Sequence, residues 1–144
     1  MYEQNRSIAR YNSLLQTKIN NFFRNELLEI GHKDLLPSHG RLLSIVYING
    51  GRVQIKTLYE TMLKQKSTIT EMINRLVKLG YLMKEGCKDD KRVTYVVVTE
   101  KTIHLKEDFD KISERLIDKL YEGFTPQEKD KFVSLMVKAI TNFT

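Results

Sequence analysis

The side chains in this sequence best suited to chemistry are polar and basic, and they fall close together. Lys64, Lys66, Ser67, Thr68, Thr70, Glu71, Asn74, Arg75 and Lys78 form one run, and Lys88, Asp90, Lys91 and Arg92 form a second shortly after it. Asn and Arg can each make two hydrogen bonds to a purine edge, which makes Asn74 and Arg75 candidate base readers. The lysines supply phosphate attraction more than sequence reading. A flexible basic loop carrying Arg92 can reach a minor groove, whose negative potential favours an inserted guanidinium. Asp90, two residues earlier, can brace that guanidinium through charge-assisted bonds. Together they form the equipment of a binding surface for double-stranded DNA. Catalytic patterns are missing: there is no Gly-rich phosphate loop, no metal-binding His pair and no Ser-His-Asp arrangement in a recognisable context. His32, His39 and His104 do not form a ligand set by spacing. No enzyme activity, metal or cofactor is therefore expected.

Charge supports the same partner. Of the net +6 carried by the 144 residues, +4 sits in residues 64–92, which hold eight Lys/Arg against four Asp/Glu. A local positive patch implies an acidic polymer. The length suits one domain with a sizeable core. No apolar run approaches the length that spans a bilayer, the first residues lack the apolar stretch of a signal peptide, and the single cysteine, Cys87, cannot form an internal disulfide. These features favour a cytoplasmic protein with no membrane partner.

The elements that position these residues can be read from periodicity. Ile8, Tyr11, Leu14, Leu15, Ile19, Phe22, Phe23, Leu27 and Ile30 recur at helical steps, so the first thirty residues are expected to be one helix ending near Gly31. Pro37 opens a second helix in which Leu42, Leu43, Ile45, Val46 and Ile48 are expected to be largely buried, and Asn49-Gly50-Gly51 ends it. Residues 52–55 could be a small edge strand, followed by a brief helix over 55–62. Ser67 is the expected N-cap of the next helix, whose apolar side holds Ile69, Met72, Ile73, Leu76 and Leu79 and whose C′ residue is Gly80. Strands are expected at 81–85 and 93–99, joined by a polar hairpin loop with Gly86 near its base. Helix returns with Ile103, Leu105, Phe109, Ile112, Leu116, Ile117 and Leu120. It breaks at Gly123 and restarts with a capping box at Thr125-Pro126-Gln127-Glu128. The fold is thus mainly α with a small β-hairpin, and residues 55–79 fit a helix-turn-helix.

The terminal helices carry more apolar surface than the small middle module can cover. They are expected to pair with the same helices of a second copy through Ile8, Tyr11, Leu15 and Ile19 near one end and Phe132, Leu135, Met136, Ile140 and Phe143 near the other.

In order and spacing, several short segments resemble the MarR (multiple antibiotic resistance regulator) family of winged helix-turn-helix repressors. They are Leu58-x-Glu60, Lys66-Ser67-Thr68-Ile69-Thr70, Arg75-Leu76, Leu79-Gly80-Tyr81-Leu82, Asp90-Lys91-Arg92 and Val98-Thr99-Glu100-Lys101. The likeness covers nearly the whole chain. It implies a single domain over 1–144, with a winged helix-turn-helix DNA-binding module at 36–99 and dimerisation helices at 1–35 and 100–144. It further implies a Ser/Thr-rich helix in the major groove, with Ser67, Thr68, Thr70 and Arg75 on it, and a wing whose Arg92 reaches the minor groove with Asp90 behind it. A homodimer acting as a ligand-responsive repressor on a pseudo-palindromic operator follows, with an unidentified small-molecule effector. Tyr59 stands where the family usually has a small Ala, Leu63 where a turn Gly is common, and Thr102 where a Gly usually follows the strand. Cys87, at the hairpin base, is expected to be a bystander thiol. The competing reading is a winged-helix protein-interaction module that keeps the fold without sequence-specific DNA binding. The basic residues from Lys64 to Arg92 argue against it.

Overall fold

The computed structural model describes residues 7–143; the opening positions of the expected first helix lie outside them. Its elements run α1 (Ile8–Glu29), α2 (Pro37–Ile48), β1 (Arg52–Gln54), α3 (Ile55–Thr61), α4 (Lys66–Lys78), β2 (Leu82–Gly86), β3 (Thr94–Val98), α5 (Glu100–Leu120) and α6 (Pro126–Thr141). The sheet has the order β1-β3-β2, antiparallel throughout. The possible edge strand is real: Val53 pairs with Val96, while across the hairpin Leu82 pairs with Val98 and Gly86 with Thr94. The chain divides into two compact units, one running through Ile112 and one beginning at Ser113.

The first unit is built around one apolar core. Leu27 of α1, Leu42, Leu43 and Val46 of α2, Leu58 of α3, Ile69, Ile73 and Leu76 of α4, Val96 of β3 and Leu105, Phe109 and Ile112 of α5 are all buried in it. On α4 the buried side chains are Ile69, Met72, Ile73 and Leu76. Each is worth roughly 1.5–3 kcal/mol on burial, so this face supplies most of the hold on the helix. α1 approaches α2 closely at Gly40: a Cβ there would sit 2.7 Å from Cε1 of Phe23, whose ring packs on Phe109 at 5.7 Å.

One burial expectation fails. Ile48 is 85% exposed, because it is the last residue of α2 and faces away from Leu42, Leu43 and Val46. Ile103 is exposed, and its polar neighbour Thr102 is buried instead. The first turn of α5 directs the Thr102 hydroxyl inward to donate to the Tyr81 carbonyl.

In the second unit the capping box forms as read. Glu128 N–H donates to Thr125 Oγ1 at 3.2 Å, and Thr125 N–H donates to Glu128 Oε2 at 2.8 Å. The bond from Thr125 N–H, and then one from Thr125 Oγ1 to the same oxygen, hold the Glu128 carboxyl below its ordinary pKa. Tyr121, Phe124 and Phe132 form an edge-to-face aromatic cluster with centroids 5.5–6.4 Å apart. α6 itself buries no residue.

Candidate nucleic-acid interface

Helices α3 and α4 are joined by a four-residue turn, the length of a helix-turn-helix. The turn closes because Met62 is buried and its carbonyl accepts from Lys64 N–H at 2.9 Å. It also shifts the start of α4. Gln65, in extended geometry at φ −63° and ψ 145°, is the N-cap, and its side chain makes no capping bond. Ser67 is therefore the second helical residue and not the cap expected of it. Ile69 N–H is the first to turn back, donating to Gln65 O. The preceding amides of Lys66, Ser67 and Thr68 keep their donors for an outside acceptor, at the positive end of the helix dipole.

The other end of α4 closes with Gly80. Its φ of +80° lets Gly80 N–H reach Val77 O at 3.0 Å and Tyr81 N–H reach Leu76 O at 2.9 Å. That is a Schellman motif, with Tyr81 and Leu76 both buried beneath it. Residues beyond β3 then hold this corner. The Leu79 carbonyl accepts from Lys101 Nζ at 3.1 Å, the Gly80 carbonyl from Thr99 Oγ1 at 2.6 Å and the Tyr81 carbonyl from Thr102 Oγ1. Lys101 also lies over the Tyr81 ring, 4.1 Å from its centroid. The connection from helix to β2 is thus fixed from both sides.

The hairpin loop is closed by Cys87 N–H to Val93 O and Val93 N–H to Asp90 O, each 3.0 Å. At its tip Asp90 grips Arg92 three times. Oδ1 accepts from the Arg92 backbone N–H at 2.9 Å and from Nε at 3.1 Å, and Oδ2 accepts from Nη2 at 3.2 Å. These bonds hold the Asp90 carboxyl below its usual range. The Arg92 side chain is nonetheless 91% exposed, so the guanidinium is oriented without being covered.

The candidate residues fall into two groups. Among the described residues, no side-chain hydrogen bond or ion pair engages Lys64, Ser67, Thr68, Glu71, Arg75, Lys78, Lys88 or Lys91, and all are exposed. Thr70 and Asn74 are engaged. Thr70 Oγ1 donates to Lys66 O at 2.9 Å and pairs with Tyr59 Oη at 2.8 Å; since its one proton is committed, Tyr59 is the donor of that pair. Asn74 Oδ1 accepts from Lys84 Nζ of β2 at 2.6 Å. Tyr59, which also lies beneath Lys66 Nζ, and Lys84 were not among the candidates. Tyr59 stands in the sequence only as a departure from a small residue, and Lys84 lies between the two runs of candidates, on β2.

Of the expected dimerisation residues, Ile8, Tyr11, Leu135, Met136, Ile140 and Phe143 are exposed, the last by 92%. Leu15 and Ile19 are half-buried, and Phe132 is committed to the aromatic cluster of its own unit. The histidines have separate fates. His39 is buried and its Nδ1 accepts from Leu36 N–H at 3.1 Å, His32 Nδ1 meets Tyr81 Oη at 3.0 Å, and His104 is exposed. Cys87 is a half-buried free thiol. No helix among the described residues is long and apolar enough to cross a membrane.

Residues 33–93 match the MarR family. HTH-type transcriptional regulator SarZ of Staphylococcus haemolyticus is 29% identical over 96 residues, 65% of this chain; the match spans 63% of that relative's length, just under two thirds. A MarR protein from Peptoclostridium difficile superposes with a TM-score of 0.85 at 26% identity, covering 95% of this chain and 87% of its own. A cysteine-to-serine mutant of MarR from E. coli, complexed with operator DNA, superposes with a TM-score of 0.83 at 17% identity, covering 96% and 97%. The sequence match is centred on the helix-turn-helix and wing, and the fold is shared along nearly the full length; both support the MarR family for this chain.

Proposed function

We propose that this protein is a sequence-specific DNA-binding transcriptional regulator that binds a pseudo-palindromic operator as a homodimer and represses until an effector releases it. One observation carries the reading: a helix packed through its buried face presents a largely exposed polar face and unspent N-terminal amides, next to a wing whose Arg92 is oriented but bare. In this reading residues 36–99 form the DNA-binding module, and residues 1–35 and 100–144 pair with a second copy. The N-terminal amides and Lys66 hold phosphate. Asn74 and Arg75 face base edges in the major groove, and Arg92 enters the minor groove. The operator-bound relative from E. coli supports this docking through its shared fold. Two copies would place two such helices about one helical turn apart.

The effector reading is supported by a cleft of about 440 Å³ lined by Ile19, Phe23, Pro37, Arg41, Met62 and Lys64, among others. Its volume suits a small molecule. Apolar walls with two cationic side chains favour a small aromatic anion. Because Lys64 belongs to the turn that launches α4, occupancy of the cleft would be felt at the DNA-binding helix.

Selection of bound fragments from genomic DNA, followed by titration of the enriched site at rising salt, tests this function. Affinity should fall steeply as salt rises. A chain that enriches no sequence, or whose DNA affinity ignores salt, would instead be a protein-interaction module on the same scaffold.

A further inference from the structure

Asn74 is the natural adenine reader of α4, because an amide can accept from N6 and donate to N7 at once. That contact needs an Oδ1 lone pair turned to the base edge. Here Oδ1 accepts from Lys84 Nζ at 2.6 Å. An ammonium has donors only, so the oxygen is the one amide atom that can face it, and the NH2 group is turned outward. We propose that Lys84, from the wing strand β2, holds the Asn74 amide with its donor outward, so that the operator favours guanine or thymine opposite Asn74 over adenine. The proposal rests on the DNA-binding reading above and adds to it a specificity-determining residue outside the recognition helix.

Two physical effects act in the same direction. Guanine shows two acceptors in the major groove and thymine shows one, and both match an outward amide donor. Cytosine shows an exocyclic amine, and adenine an amine beside its N7 acceptor; in both, the amine must compete with Lys84 for Oδ1. The Lys84 charge beside Asn74 also favours acceptor atoms over amines. The corner that joins α4 to β2 is held by Thr99, Lys101 and Thr102, so the Lys84 backbone keeps its place relative to Asn74.

Operator selection with three full-length proteins tests this: the native chain, Asn74→Ala and Lys84→Met, which keeps the stem and removes the donor. Asn74→Ala identifies the position by losing its preference there. At that position the native chain should select guanine or thymine over adenine by about 5- to 150-fold, the range one good base contact supplies. Lys84→Met should raise adenine to at least parity. Native preference for adenine, or a Lys84→Met profile identical to the native one, overturns the proposal. So does Asn74→Ala leaving every preference intact, since Asn74 then reads no base. If the native chain enriches no sequence at all, the DNA-binding reading fails first and this inference falls with it.

Discussion

The hydroxyl of Thr102 donates to the backbone carbonyl of Tyr81, tying the first turn of α5 to the residue that leaves α4. Both residues are buried, so no water is there to replace the bond. Thr102 also shares a 3.0 Å contact with Thr99 Oγ1, and its own carbonyl accepts from Tyr47 Oη at 2.5 Å. Burial, and then the charge of Asp110, push the Tyr47 hydroxyl's pKa well up, so it remains a donor at any working pH.

Thr102→Val keeps the shape of the side chain and strands the Tyr81 carbonyl. An unsatisfied buried acceptor costs about 1–3 kcal/mol. Urea unfolding should show a lower midpoint with an unchanged slope, and Thr102→Ser should restore most of the loss. Equal stability of the Val variant would mean that the corner does not depend on this bond.

The wing makes a graded prediction. Arg92→Ala should weaken operator binding and lower the slope of log affinity against log salt by about 1, the signature of one lost phosphate-region contact. Asp90→Ala leaves the guanidinium but removes the grip along with one phosphate-repelling carboxylate, so its affinity should fall between the native and Arg92→Ala values. Arg92→Lys should not recover native binding, because an ammonium cannot take both Asp90 oxygens in the paired geometry of a guanidinium. Anisotropy titrations at several salt concentrations check the order. Asp90→Ala binding worse than Arg92→Ala would show that the aspartate does something other than orient the arginine.

Much of this architecture was legible in the residues. Helical spacing marked α1, α2 and α4, the β-branched run marked β3, and Thr125 with Glu128 marked the start of α6. The Asp90–Arg92 brace could be read from a spacing of two because it is local. What escaped depends on contacts between distant segments. Ser67 had the right chemistry for a cap, but the buried Met62 set the turn and moved the helix start onto Gln65. Thr102 stood out only as a departure from the usual glycine, and the Tyr81 carbonyl that its hydroxyl meets lies 21 residues away. Tyr59 and Lys84 lie 11 and 10 residues from Thr70 and Asn74, and no sequence period links them.

His39 makes stability depend on pH. Burial, and then the Arg75 charge, lower its pKa from 6.5. In the folded chain the neutral ring's Nδ1 accepts from Leu36 N–H at 3.1 Å, and a protonated ring cannot. The unfolded chain therefore binds the proton more readily. The contribution is fully present above pH 6.5 and is lost as pH falls from there through the depressed folded value. Unfolding midpoints measured from pH 8 to pH 5 should decline below about 6.5, the ordinary histidine value. His39→Gln, which offers an acceptor that does not titrate, should flatten that decline. A variant with the native pH profile would assign the decline to other groups.

The apolar side chains of α6 give the last prediction. Leu135 is 53% exposed and Ile140 62% exposed, and no residue of this helix is buried within one chain. Replacing both with Glu removes nothing from the core, and surface changes of this kind usually shift stability by no more than about 0.5 kcal/mol. Helix content by circular dichroism should therefore stay at the native level. If these residues seat a second copy, desolvating the two new carboxylates in that interface is prohibitive. Sedimentation should then report a monomer where the native chain gives a dimer. Operator affinity should fall by about 10²–10⁴-fold, since each half-site then binds without the other. A double variant that still sediments as a dimer would exclude Leu135 and Ile140 from the interface and shift the search to the exposed Ile8 and Tyr11 of α1.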